Sequence, residues 1–283
     1  MVKKRPPTKK VPRKRKKTKL PQNLTIAVWF FIAVTLLILL SFFAKAFFVL
    51  KRSAFDGSHR FTIAMSTSPS ETVVYSFAPD SKTQTTLHIR SSFDVASLEK
   101  TLSLPIDVVV LCKENSCRKF IKDTPPSTLR QLLFHYNDLQ TQATGIDFLR
   151  LYILTKTIPK SHSVEKTISL QEKAGWESML SSCCIDYQIT KDNETIAIVN
   201  ESAIKGLGNR LGKLLSNIGA TVISIDSSDT DRETSEIVYS GEKTYTVDKL
   251  QKILKGAKLS IDKKGISDII VRIGKDQAQT NRY

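Results

Sequence analysis

Few side chains in this sequence are spaced for chemistry. Cys112 and Cys117 stand in C-x4-C spacing across Lys113-Glu114-Asn115-Ser116, a turn-like stretch that suits a short disulfide loop. Cys183 and Cys184 are adjacent. Four cysteines allow three full pairings, and the sequence does not choose among them. Zinc is the weaker reading, because the adjacent pair has no ligand-like histidine nearby. The histidines, His59, His88, His135 and His162, are scattered and never fall in metal-ligand spacing, so no metal and no cofactor are expected. There is no G-x-S-x-G elbow and no P-loop. Gly206-Leu207-Gly208-Asn209-Arg210-Leu211-Gly212 follows a strand-like run and imitates a dinucleotide fingerprint, but its third glycine comes one position late. Close packing of a helix on a sheet explains small residues at these positions equally well.

The elements that must hold these residues fall into two blocks. In the first, residues 61–66, 72–78 and 84–90 read as short strands of β-branched and aromatic residues. Ala78-Pro79-Asp80-Ser81 is a turn between the second and third. The nearly continuous apolar run Leu104–Cys112 predicts a buried strand. Ser127 is placed to cap a helix through Leu129, Leu132, Leu133, Tyr136 and Leu139, and Ile146–Ile158 predicts a second helix ended by Pro159. In the second block, strands are predicted at Glu194–Val199, Thr221–Ile225, Ser235–Tyr239 and Ile269–Ile273. Amphipathic helices are predicted at Ala203–Ile218 and from Thr246 to Gly256. The order is β-α-β-β-α-β, the split βαβ arrangement.

Charge adds a third region. The chain of 283 residues has 43 Lys+Arg against 27 Asp+Glu, a net charge of +16. Residues 1–52 hold 14 of the basic residues and no acid, so the rest carries only +2. The first 19 residues contain 11 Lys or Arg, which cannot bury apolar area and should be disordered. Leu24–Ala44 follows, 21 residues without a charge, enough for a helix to cross a ~30 Å hydrocarbon core. Ala44-Lys45-Ala46 fits a signal-peptidase pattern, but the apolar run is longer than the about 7–15 residues of a signal sequence. The balance of positive charge puts the N-terminus in the cytoplasm and residues 53–283 outside. Arg13-Lys14-Arg15-Lys16-Lys17 could address nucleic acid. Beside a membrane anchor it is better read as lying on anionic lipid, and no nucleic-acid partner is expected.

The residues of the second block carry a resemblance. AIVNESAIKGLGNRLGKLLSNIGATVISID (197–226), SEIVYSGEK (235–243) and SDIIVRIGKD (267–276) resemble the LytR C-terminal domain family over residues 194–276. The matching positions are Val199, Asn200, Gly206, Leu207, Gly219, Val222, Ile237, Tyr239, Asp268, Ile269, Gly274 and Asp276. Gly208 departs from the small Ala that is common there. The resemblance implies a bacterial, extracytoplasmic cell-envelope protein, in a family whose members often place this domain after a LytR-CpsA-Psr domain. It carries over no chemistry. Residues 60–90 echo the opening strands of the LytR-CpsA-Psr family, which transfers phosphate-linked glycans to the wall with Asp, Arg and Mg²⁺. At the family's R-x-D-T position the chain reads Arg60-Phe61-Thr62-Ile63, and at P-R-D-T it reads Arg90-Ser91-Ser92-Phe93-Asp94. The acids are missing or displaced, so the middle region is expected to be a degenerate or unrelated relative without activity.

The expected fold is α/β (α+β). A disordered cytoplasmic tail (1–23) precedes a transmembrane anchor (24–44) and a mixed α/β ectodomain (55–190). A LytR C-terminal-like βαββαβ domain (192–276) and a short tail (277–283) follow. The expected function is non-enzymatic binding or an accessory role in cell-wall polymer assembly, with the lipid bilayer and a wall polymer or envelope protein as partners. The alternative is an active glycopolymer phosphotransferase. It would need Arg60, Arg90 and Asp94 to converge on a pyrophosphate and Mg²⁺.

Overall fold

A computed structural model of the chain describes residues 22–67, 71–89, 97–112, 121, 123–168, 179–180, 182–262 and 265–279. The basic tail, Arg90, Asp94 and Cys117 lie outside the described residues. The chain divides into two compact units, Met1–Lys51 and Arg52–Tyr283. In the first, helix α1 spans Gln22–Lys51. Its segment Ile26–Lys51 is long and apolar enough to cross a membrane. The helix outruns the predicted Leu24–Ala44 because residues 45–51 contain no Pro or Gly to stop it, and Lys45 is tolerated on a helix whose long side chains can reach outward.

Among the described residues, the second unit holds two sheets. The first is six-stranded. Its strands are β1 (Phe61–Thr67), β2 (Glu71–Ala78), β3 (Thr83–Ile89), β4 (Val108–Cys112), β5 (Leu139–Thr141) and β6 (Ser163–Ile168), in the order β5-β4-β1-β2-β3-β6, and a short helix α2 (Leu98–Leu102) lies between β3 and β4. The first three pair antiparallel, as two hairpins should, while β4 joins β1 and β6 joins β3 in parallel. Both faces of this sheet are covered. Ile63, Met65, Val73, Tyr75 and Phe77 point to one side, where they share a core with Leu129 and Leu132 of α3 (Pro125–Phe134) and Phe148 and Leu151 of α4 (Gly145–Thr157). The intervening Ala64, Val74 and Leu87 point to the other side, into a core shared with the C-terminal half. Alternation is therefore hidden in the sequence, because residues 61–66 of β1 and 72–78 of β2 are all buried.

The C-terminal sheet is five-stranded. It comprises β7 (Thr195–Asn200), β8 (Thr221–Ser227), β9 (Glu236–Tyr239), β10 (Lys258–Ile261) and β11 (Ile269–Ile273), in the order β10-β9-β11-β7-β8. Helix α5 (Tyr187–Asp192) precedes it, and α6 (Leu207–Asn217) and α7 (Tyr245–Ile253) connect its strands; α8 (Asp276–Gln279) follows. The predicted β-α-β-β-α-β order is present with one further strand, β10. The split arrangement is corrected. β7 and β8 are parallel neighbours, and so are β9 and β10, so each βαβ unit is unsplit and β11 joins the two at the centre. Strand β10 (KLSI) escaped prediction because it is short and mostly polar or half-exposed.

Several boundaries moved for local reasons. Pro105 delays β4 to Val108, although Leu104 and Ile106 remain buried. Pro125, with its fixed φ, begins α3 two residues ahead of Ser127, and Thr124 holds the N-cap position. Tyr136 and Leu139 fall beyond α3, in a 3-10 turn and in β5. Thr244, not Thr246, caps α7 by accepting from Val247 N, while the Thr246 hydroxyl donates to Asp192 Oδ2 at 2.7 Å.

Candidate functional site

The residues of the family resemblance build the C-terminal scaffold. The Asn200 amide donates to Ile204 O at 2.8 Å and its oxygen accepts from Ser202 Oγ at 2.6 Å, turning the chain out of β7. Gly206 then starts α6 from a left-handed φ of 81°, and Gly219 leaves the far end at φ 91°. Along α6, a Cβ at Gly212 would meet Ile225 Cδ1 at 2.6 Å and one at Gly208 would meet Ile225 Cγ2 at 3.1 Å. Of the fingerprint-like glycines, Gly208 and Gly212 therefore serve close helix–sheet packing, and Gly206 supplies the left-handed start of the helix. Tyr239 is buried in β9. Asp268 accepts from Thr195 Oγ1 at 2.7 Å and Thr195 N at 2.9 Å, which holds its carboxyl below the usual range. At Gly274 a Cβ would sit 2.8 Å from the Thr234 carbonyl carbon.

A cleft of about 260 Å³ opens where this scaffold meets the middle of the chain. Its walls are the segment Ala54–Phe61, the loop Pro105–Asp107, and one face of α7. Tyr245, Lys249, Lys252 and Ile253 follow helical spacing on that face. The His59 ring lies on Tyr245, centroids 4.0 Å apart and planes 13° from parallel. His59 Nδ1 is 2.6 Å from Asp56 Oδ2. Burial pushes the Asp56 carboxyl up, but His59 and the backbone N–H groups of Ser58 and His59 outweigh it and bring its pKa down to about 2. Burial raises the Tyr245 phenol far above its usual value, aided by Asp186, to whose Oδ2 its hydroxyl donates at 2.7 Å.

Every carboxylate in the cleft is engaged. Asp107 Oδ1 meets the buried Lys249 Nζ at 3.1 Å, and Oδ2 accepts from Thr62 N at 2.8 Å. The Glu99 carboxylate accepts from Ile106 N at 2.8 Å. Lys252 and Lys255 are different: both are exposed at the rim, and neither Nζ has an acceptor among the described residues. Two free ammonium groups above a floor that includes Phe61, Ile106, Leu214 and Ile253 suit an anionic ligand with an apolar body. No described group holds three or more metal-ligating side chains.

Arg60 lines this cleft, but its guanidinium is spent on structure. Nε donates to Ile185 O at 2.8 Å and Nη1 to Ser76 Oγ at 2.9 Å. Whether Arg90 and Asp94 approach it lies outside the described residues. Cys112 is disulfide-bonded, and Cys183 and Cys184 are free thiols. Tyr245, Lys249 and Lys252 carried a signal that periodicity could have found, a polar stripe at i, i+4 and i+7 beside an apolar one. Nothing in the sequence said that residues 54–61 would face it.

Residues 193–276 match a family model described as LytR cell envelope-related transcriptional attenuator. No curated protein matches the chain. Among solved structures, it is similar to the transcriptional regulator yvhJ from Bacillus subtilis, with 12% identity, 40% of this chain and 83% of that one covered, and a TM-score of 0.31. Lin1025 protein from Listeria innocua is similar at 7% identity, 40% and 84% coverage and a TM-score of 0.31. TagT bound to LIIa-WTA is similar at 12% identity, 46% and 92% coverage and a TM-score of 0.30. Residues 193–276 therefore form a LytR C-terminal domain, which associates the chain with the cell envelope.

Proposed function

We propose that this chain is a single-pass envelope protein, anchored by α1 with its N-terminus in the cytoplasm, whose outer part binds an anionic wall polymer without transforming it. The observation that carries this reading is the division of labour in the cleft. Its carboxylates are all committed to structure, whereas Lys252 and Lys255 are left uncommitted above an apolar floor. Binding needs free cations. Glycan transfer needs an acid or metal beside them as well. The basic tail and the apolar helix support the orientation by the positive-inside rule.

The test uses the full chain in nanodiscs and an isolated phosphate-bearing wall polymer. The Lys252→Ala/Lys255→Ala pair is expected to weaken binding roughly tenfold, two exposed charge contacts at about 0.2–1 kcal/mol each, and to flatten the salt dependence. Unchanged affinity would reject the cleft as the binding site. Mg²⁺-dependent transfer of glycan phosphate from an added polyprenyl-pyrophosphate donor, with release of the polyprenyl phosphate, would replace binding with phosphotransfer. Protease protection in right-side-out vesicles checks the topology: residues 53–283 are expected to be cut from outside.

A further inference from the structure

Cys183 and Cys184 are free while Cys112 is disulfide-bonded, although all three share one compact unit. Their sulfurs are 3.5 Å apart, already in hydrogen-bond contact. Cys183 is half-buried and Cys184 is sealed. The peptide that carries them is anchored on both sides. Thr85 Oγ1 donates to Cys183 O at 3.1 Å, Arg60 Nε donates to Ile185 O, and Asp186 N donates to Ile218 O at 2.9 Å. The pair thus sits where the middle sheet is pinned to the C-terminal half.

We propose that Cys183 and Cys184 form a reversible redox site, oxidised by a low-molecular-weight disulfide to a vicinal disulfide and restored by a thiol reductant. The Cys183 thiolate attacks the disulfide RSSR, breaking its S–S bond and releasing one RS⁻. Cys184 gives up its proton, attacks Cys183 Sγ and displaces the second RS⁻. The two thiol protons leave on two RSH, and the two electrons have passed to the small disulfide. The roles follow from the surroundings. The hydrogen bond from Cys184 lowers the Cys183 thiol to about 7 despite its burial, with Thr85 and the Arg60 charge helping. The hydrogen bond to Cys183, and then burial, push the Cys184 thiol up, which makes it the resolving partner. Neighbouring Cα atoms are about 3.8 Å apart across a trans peptide. Ordinary disulfides span ~4.4–6.8 Å, so this ring is strained and easily reduced, as a reversible bond must be.

The experiment treats the full-length protein in detergent with oxidised glutathione, then reads intact mass, thiol alkylation after denaturation and a peptide map. The expected product is lighter by two hydrogen atoms, has lost alkylation at both cysteines within one peptide, and regains it with dithiothreitol. Phenylarsine oxide, a probe for paired thiols, binds the untreated protein and not the oxidised one. In Cys184→Ser, a glutathione adduct accumulates on Cys183. Three outcomes overturn the proposal: both thiols remain alkylatable after treatment, wild-type protein stops at the glutathione adduct, or Cys183 links two chains instead.

Discussion

The middle sheet is covered on both faces, whereas the C-terminal sheet is covered on one. Val74 and Leu87 on one face, and Val73 and Tyr75 on the other, are equally buried. In the C-terminal sheet, Ile196, Ile198, Val271 and Ile269 face the helices, while Val199, Val238, Ile270 and Arg272 are half-exposed. The open face carries ion pairs in place of a second core. Arg232 bonds Glu201 and reaches Glu236 at 3.1 Å, and Arg272 approaches Glu201 at 3.6 Å. A sheet with one wet face can stand at the surface. A sheet with two dry faces needs a neighbour, and here the C-terminal helices join that second core. The candidate cleft and the thiol pair both lie along this junction.

The largest test of the contrast removes apolar volume from the junction. Leu87→Ala, at a fully buried position, is expected to cost about 2–5 kcal/mol in urea unfolding, with both sheets melting in one transition. Two separate transitions would break the claim of a shared core. Lys249→Ala strands the partly buried Asp107 carboxylate and is expected to cost about 3 kcal/mol, with Lys249→Met milder. Asp147→Asn comes next. This buried carboxylate accepts from Ser53 Oγ at 2.5 Å, Phe55 N at 2.9 Å and Thr144 N at 2.6 Å, so it fastens the segment that follows α1 onto the start of α4. About 1–3 kcal/mol should be lost, and hydrogen exchange should rise first at residues 53–56.

Asp56 sharpens the comparison by pH. Its folded pKa of about 2 lies below the ordinary value of about 3.9, so its contribution is present above pH ~4 and fades as the pH falls toward 2. The stability gap between wild type and Asp56→Asn should therefore close on acidification; a constant gap would show that the pairing with His59 contributes nothing. On the open face, Arg272→Ala should change stability by less than about 1 kcal/mol. A larger loss would mean that this face is as consequential as the covered one.

Legibility followed the same division. The strands β7, β9 and β11 and the helix α6 could be read within a few residues, because a one-sided sheet and an amphipathic helix print their burial as period 2 and period 3.6. β1, β2 and β3 were legible as β-rich segments, not as faces. β5, β6 and β10 were missed. Each is a short or polar edge or near-edge strand whose existence depends on its partner's hydrogen bonds more than on its own side chains. The candidate cleft is largely illegible in the sequence, since residues from 54 to 255 meet in it and, of its lining, the candidate site residues include only Arg60.

By itself the sequence determined the apolar span, the basic end, the α/β class and the LytR C-terminal pattern. These rest on composition and local periodicity, which need no partner. Only the tertiary structure decided that Arg60 is a structural brace, that Lys249 is buried while Lys252 is free, and that Tyr245 carries His59 on its face. The physical reason is range. A helix or strand is specified by neighbours within a turn or a pleat, whereas the state of the Arg60 and Lys249 charges depends on what arrives from a hundred or more residues away.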